Sequence, residues 1–294
     1  IAHPFPKGSF KISTQKQIDI IVSLGLKRVR YVPEKSDPAP VQVELDVPAS
    51  TDPSVRQAQE TAAREALQRK QNAVLLQAQQ RSLMVCERRF GEAIRQYKLT
   101  LEQFNSKPQV AMEQCVGMVN TMVEEMCGCE SAIRLLSEGM GDKASMHPVN
   151  VTVVSLLLGR SMGLSAAELT DLGVAAFLHD IGKSLLPDRV RTLEENFSSA
   201  ETKMYQEHVG QSMMIGKRMG LSTGALQAIG QHHEHVDGSG FPLKLKGDAL
   251  SMPAKILALV NRYEDLCNPN RVAAAITPPE ALSLIFAQLK SRFD

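Results

Sequence analysis

His232 to Pro242 read HHEHVDGSGFP. Three histidines, two carboxylates and two glycines crowd into these eleven residues. Taken alone, the stretch suits a polar surface loop as well as it suits the floor of a metal site. Two adjacent imidazoles can converge on one point only from an irregular backbone. Gly238 and Gly240 supply a tight loop behind them, since glycine tolerates turn conformations that other residues resist. The choice between the two readings rests on the polar residues upstream.

The chain has seven histidines, His3, His147, His179, His208, His232, His233 and His235. A lone helical histidine is more often a satisfied core residue than a ligand. Here several fall into a set with the adjacent pair His179-Asp180 and with the carboxylates Glu264 and Asp265. Imidazole and carboxylate donors without thiolates suit zinc or a redox metal such as iron or manganese. In FLHDIGK, His179 and Asp180 can approach one centre from a single helix end, and a bridging Asp180 would join two metals. Paired metals suit the displacement of a phosphoester. Lys183 follows His179 by four residues, which on an α-helix puts it on the same face. A cation there would neutralise charge building on the phosphate.

His147, His179-Asp180-Ile181-Gly182-Lys183, His208-Val209-Gly210 and the HHEHVDGSGFP stretch together resemble the HD-GYP phosphodiesterases, a branch of the HD metal-dependent phosphohydrolases whose motif reads HHExxDGxGYP. The resemblance runs from Met146 to the C-terminus. It implies an all-α catalytic domain that hydrolyses cyclic di-GMP to pGpG, GMP or both, with two divalent metal ions, iron or manganese. By that pattern His147, His179, Asp180 and Glu264 hold one metal, and Asp180 bridges to a second held by His208, His232 and His233. Asp180 and Lys183 carry the catalytic roles, and Lys183, Gly240, Phe241, Pro242 and Arg271 meet substrate. Implied partners are cyclic di-GMP, diguanylate cyclases of the GGDEF type and a second copy of the chain.

The sequence departs from the family at four places. Phe241 stands where the family has a tyrosine, so a phenol hydroxyl is absent. The later carboxylate falls in Tyr263-Glu264-Asp265-Leu266; anchoring on Tyr263 and Leu266 favours Glu264, and a one-residue shift gives Asp265 instead. Lys143 stands where some members place a third-metal glutamate, so two metals are expected. Arg271 matches the family arginine only with an offset of one. Within the loop, His235 reads as a bystander, and Glu234 and Asp237 as braces. Two other functions fit the same residues: a cyclic di-GMP sensor without turnover, and an HD phosphohydrolase acting on another nucleotide.

The remaining sequence bounds these readings. Among 294 residues 43% are apolar and the formal charge is +1, against the basic excess of a general nucleic-acid binder. No apolar run approaches the roughly 20 residues of a membrane span. The N-terminus lacks the layout of a signal peptide, and five cysteines, an odd number, read as reduced thiols, so a cytoplasmic setting is expected. Residues 1–50 read as a small α+β module, similar to a domain of unknown role that often precedes this catalytic module. Residues 51–107 read as a linker and a long helix, single or broken near Gly91, whose alanine-rich stripe admits a homodimer. Residues 108–294 read as the catalytic domain. Its expected helices are Ala111–Met126, Ser131–Met140, His147–Met162, Ser165–Asp180, Ala200–Met219, Ser222–His235, Met252–Leu266 and Pro278–Phe293, with a capping box at Ser165 and Glu168.

Overall fold

The computed structural model describes residues 52–126, 143–192, 197–268 and 275–293. The expected α+β module over residues 1–50, the helix expected over Ser131–Met140, and Arg271 lie outside these residues. The chain divides into two units, residues 1–71 and 72–294. Among the described residues every regular element is a helix, in accord with the all-α domain that the sequence led us to expect.

The first helix, α1, covers Pro53–Gln103 and runs through Gly91 without a break. In the first unit it is solvated, and the pairs Arg56–Glu60 and Glu65–Arg69 stand one turn apart on its surface. Each such exposed pair adds only a few tenths of a kcal/mol (about 0.3–0.5) to the helix. In the second unit the same helix buries Phe90, Ala93, Ile94 and Tyr97, whose spacing of three and four lines one face.

The second unit continues with α2 (Pro108–Met126), α3 (Lys143–Ser161) and α4 (Ala166–Leu178). Then come α5 (Ser199–Met219), α6 (Thr223–Gln231), α7 (Met252–Cys267) and α8 (Pro278–Gln288). Helix α4 is the centre of this bundle. From Leu172 to Leu178 every residue is buried, the pattern of a helix with neighbours on all sides. Helices α2, α3, α6 and α7 all pack on it. Tyr97 of α1 sets its ring edge-on to Phe177, with centroids 5.3 Å apart. Burying a side chain such as Phe177 or Leu172 contributes roughly 1.5–3 kcal/mol.

The start of α4 has the expected capping box. The Ser165 side chain accepts from the Glu168 amide, and Glu168 accepts from the Ser165 amide. Its end differs from expectation, because the α-helix stops at Leu178 and a 3₁₀ turn covers Ile181–Leu185. Helix α6 likewise stops at Gln231, four residues short of His235. In both places the chain leaves the α-helix where its histidine motif begins. The site therefore sits at the C-terminal ends of α4 and α6.

Candidate metal centre

Five elements deliver the polar residues. His147 comes from α3, His179 and Asp180 from the turn after α4, His208 from α5, His232 and His233 from the end of α6, and Glu264 from α7. His179, His208, His232 and Glu264 are each at most 3% exposed, and Asp180 is 7% exposed. Burying so many polar groups is costly unless each has a partner.

Their backbone-facing atoms are satisfied by one repeated device. The Nδ1 of His179 lies 2.7 Å from the Ala176 carbonyl oxygen, that of His208 2.5 Å from Tyr205 and that of His232 2.6 Å from Ile229. In each case the partner sits three residues earlier. A carbonyl oxygen only accepts, so each Nδ1 carries the proton and each Nε2 presents a lone pair. The His147 Nδ1 does the same with the Glu264 carboxylate. The second oxygen of Glu264 accepts from Asn150 Nδ2 at 2.8 Å.

The lone pairs then face one another. His147 and His179 bring their Nε2 atoms to 3.3 Å, and His208 and His232 to 3.4 Å. Asp180 lies between the two pairs. Its Oδ2 is 3.3 Å from His179 Nε2 and 3.7 Å from His147 Nε2, and its Oδ1 is 3.4 Å from His208 Nε2 and 3.8 Å from His232 Nε2. Asp180 Oδ1 and His233 Nε2 are buried without any hydrogen-bond partner. The ligand atoms form two overlapping groups, each within 4.8 Å: His147, His179 and Asp180, and Asp180, His208, His232 and His233. Asp180 is common to both.

Protonation does not relieve the second group. Burial pushes His208 down to about 4, and His232 and His233 well below the ordinary imidazole value, with neighbouring imidazoles adding to the drop in each. Neutral imidazoles with opposed lone pairs and an orphaned carboxylate oxygen are what a cation resolves. The donor set therefore fits bound metal, and the shared carboxylate fits two. His147 behaves differently: burial works against its charge, but the Glu264 carboxylate and then Asp180 outweigh that and raise its pKa. Burial also opposes the charge on Asp180, yet His179, Lys183 and a hydrogen bond hold it well below the usual carboxylate range.

Lys183 is beside the cluster, as expected, but by a different route. It stands on the 3₁₀ turn, where residues three apart align, and its Nζ is 2.6 Å from Asp180 Oδ2. Burial would strip its proton; Asp180 reverses this and raises its pKa. Gly182 permits the turn to press on α5. A Cβ at Gly182 would strike the His208 carbonyl and the Ser212 amide and hydroxyl, and its own amide donates to Ser212 Oγ at 2.9 Å.

The HHEHVDGSGFP loop sends His232 and His233 to the cluster and turns its other polar residues to the loop itself. Glu234 is 1% exposed, and its carboxylate accepts from the amides of Leu243 (2.6 Å) and Leu245 (3.0 Å). Asp237 accepts from the Ser239 amide at 2.8 Å. His235 turns away, with Nδ1 2.9 Å from Ser239 Oγ and its ring against Phe293. Gly240 passes so close to the backbone of His233, Glu234 and His235 that a Cβ has no room there. Phe241 stacks on His233 with centroids 4.5 Å apart and planes 21° apart, and Pro242 follows it through a cis peptide bond.

The two candidate carboxylates are placed differently. Glu264 is 3% exposed and reaches the site. Asp265 is half-exposed and pairs with Arg262 at 3.1 Å. Glu264, however, is not among the atoms that converge; it stands behind His147, on its Nδ1. Sequence reasoning passed over Asn150 and Tyr205. Each lies three residues from a motif histidine, on the same helix face, and that spacing is the signal by which both could have been found.

An HD domain family model matches residues 129–294, and a domain of unknown function (DUF3391) matches residues 1–115. The cyclic di-GMP phosphodiesterase response regulator RpfG of Xanthomonas campestris is 28% identical over 210 residues, 70% of this chain and 53% of that protein. A cyclic di-GMP phosphodiesterase of Thermotoga maritima is 29% identical, over 51% of this chain and 43% of its own length. The 3'3'-cGAMP-specific phosphodiesterase 3 of Vibrio cholerae is 27% identical, over 50% of this chain and 32% of its own. The chain thus spans about half the length of the first of these relatives and less of the others. Among solved structures, Bd1817, an HDG"Y"P protein from Bdellovibrio bacteriovorus, superposes with a TM-score of 0.62 at 18% identity, over 71% of this chain and 67% of that one. That likeness concerns the fold. With the HD domain match covering more than half of its residues, this chain belongs to the HD domain family.

Proposed function

We propose that the chain is a two-metal phosphodiesterase acting on cyclic di-GMP in bacterial second-messenger signalling. The observation that carries this reading is the sharing of one carboxylate, Asp180, by two groups of opposed imidazole lone pairs. His147, His179 and Asp180 would hold one divalent metal; Asp180, His208, His232 and His233 would hold the other. Iron or manganese suits these nitrogen and oxygen donors. When bound, a metal pair of this kind supplies an activated water and neutralises phosphate oxygens in an in-line displacement.

The protein's own groups do the rest. The carbonyl-anchored Nδ1 atoms of His179, His208 and His232 fix tautomer and ring angle, so that the Nε2 lone pairs are aimed before any ligand arrives. Glu264 braces His147 in the same manner, with Asn150 holding its far oxygen. Lys183, kept protonated beside Asp180, offers its ammonium to a phosphoryl oxygen as negative charge grows there. Phe241, laid against His233, presents an aromatic edge to a nucleobase, and Gly240 and Pro242 shape the rim on which substrate rests. Arg271 is proposed as a further phosphate contact.

Incubating manganese-loaded protein with cyclic di-GMP, and separately with 3'3'-cGAMP, tests the reading by chromatography of the products. Linear pGpG or GMP supports it. Hydrolysis of 3'3'-cGAMP alone would favour the second reading that the Vibrio cholerae relative suggests. Binding without product would leave a sensor. A hydrolase for this dinucleotide implies an enzyme that makes it, for which GGDEF-type cyclases are the proposed counterpart. Exposed Val74, Leu75 and Leu76 on α1 support a homodimer. Among the described residues no helix is long and apolar enough to cross a membrane. A cytoplasmic setting is proposed from the free thiols of Cys115 and Cys267.

A further inference from the structure

The residues after α8 return to the metal centre from its outer side. Helix α8 packs on α7 and buries Ala281 and Ile285. Just past it the Arg292 amide donates to the Leu289 carbonyl at 2.9 Å and turns the chain back. Residues 291–293 then fasten to the HHEHVDGSGFP loop at three successive positions. The Phe293 ring stands edge-on to that of His235, with centroids 5.6 Å apart. The Val236 amide donates to the Arg292 carbonyl at 3.0 Å, and the Ser291 hydroxyl donates to Asp237 Oδ2 at 3.3 Å. The pairing is antiparallel, with Ser291 against Asp237 and Phe293 against His235. The Val236 carbonyl in turn accepts from the Gly247 amide at 3.0 Å, so this stretch of loop is gripped by two other segments.

The loop serves one ligand group and not the other. It carries His232 and His233 of the second group, whereas His147 and His179 of the first come from α3 and the turn after α4. Within the second group His233 depends most on the loop. His208 and His232 are fixed on carbonyls of their own helices. His233 instead lies against the ring of Phe241, 4.5 Å away, and its carbonyl accepts from the Phe241 amide at 3.0 Å. The chain from His233 to Phe241 is thus a closed excursion, and its outer edge is the part that residues 291–293 hold. We propose that Ser291, Arg292 and Phe293 form a strap that positions His233 and Phe241, and so sets the affinity of the second metal. These are positioning residues, acting on the site through the loop alone. The inference rests on the two-metal reading of the site but not on the identity of the nucleotide.

The test uses the full chain as wild type, as the double variant Ser291→Ala/Phe293→Ala, as Phe293→Tyr, and as Leu282→Ala, a control on the exposed face of α8. Three readouts are taken: hydrogen exchange over residues 234–241 without metal, manganese titration followed by electron paramagnetic resonance, and the urea midpoint. In the double variant exchange over the loop should quicken. The second manganese should bind about tenfold more weakly, the lower end for a lost partner behind a ligand, and the first as in wild type. At limiting manganese the spectrum then shifts from a spin-coupled pair toward isolated ions. Phe293→Tyr, which keeps the ring, and Leu282→Ala should both match wild type. Unchanged exchange in the double variant, or faster exchange with the second metal bound as tightly as before, would overturn the proposal. So would an equal weakening of both metals, which is a general loss of structure and not a matter of placement; a lower urea midpoint would accompany it. A wild-type protein that never shows the coupled pair overturns the two-metal reading itself, and the strap proposal falls with it.

Discussion

At Asp180 a single carboxylate serves both ligand groups, so its removal should act on both at once. Asp180→Ala is expected to abolish uptake of both metals and all phosphodiesterase activity, read by elemental analysis beside the product assay. Retention of either metal would show that the sharing seen in the geometry is not used. Glu264 makes a finer test. Its two oxygens accept from His147 and from Asn150, and a glutamine has one acceptor for those two donors. Glu264→Gln should therefore release His147 and weaken metal binding by roughly 10–100-fold, the usual cost of losing a partner behind a ligand. Asp265→Asn, on a half-exposed side chain paired with Arg262, should leave metal affinity unchanged. A titration of manganese into each protein decides between them. Neither orientation was visible in the residue order, because adjacent letters do not say which nitrogen of a ring looks inward.

At the scale of elements, the ends of helices carry the chemistry. Both α4 and α6 stop where their motifs begin, and the irregular turn after each lets neighbouring side chains converge. Capping and placement can be separated experimentally. Ser165→Ala breaks the capping box at the far end of α4 and should cost about 1 kcal/mol of stability, seen as a lower urea midpoint with metal content intact. Gly182→Ala should act on placement. The added methyl meets the His208 carbonyl and the Ser212 amide, so the turn must lift from α5 and take Asp180 with it. The expected result is a marked loss of metal together with a loss of stability of roughly 1–3 kcal/mol; full metal occupancy would mean the turn has slack. The sequence made the capping box plain because its signal spans three residues. It overran α6 to His235 because an apolar pattern does not register where a backbone abandons its ladder.

Across the whole molecule, the buried imidazoles tie folding to acid and to metal. In the folded, metal-free protein His208 titrates at about 4 against 6.5 for an unperturbed histidine, and His232 and His233 are held well below 6.5. Between pH 6.5 and about 4 the unfolded chain binds these protons and the folded one does not, so stability rises with pH through that window. The stabilisation is complete above 6.5 and is lost as pH falls. His147 is raised and acts with the opposite sign, but it is one group against three. Shifting metal-free protein from pH 7 to pH 5 should cost on the order of 2 kcal/mol for His208 alone, measurable as a lower denaturation midpoint. A midpoint that rises on acidification would contradict the buried neutral state. Because the candidate ligands converge only in the folded chain, manganese should raise Tm in proportion to the logarithm of its concentration, and a chelator should reverse this.

What the sequence determined by itself was local. Adjacent ligand types in FLHDIGK and HHEHVDGSGFP, glycines at a tight loop, the Ser165 box and the apolar periodicity of the helices all lie within a few residues of one another. From these the all-α class and the motif residues His179, Asp180, His232 and His233 could be read, while His147 and His208 were expected from the resemblance to a family. Only the tertiary structure decided what depends on distant segments meeting. His147 faces His179 across 32 residues and Glu264 across 117, and burial turns the rings of His208 and His232 to confront each other with lone pairs. The roles of Asn150 and Tyr205, and the position of Glu264 behind His147, follow from that packing. A ring's orientation and a carboxylate's reach are set by the neighbours folding brings, and no local pattern of residues encodes them.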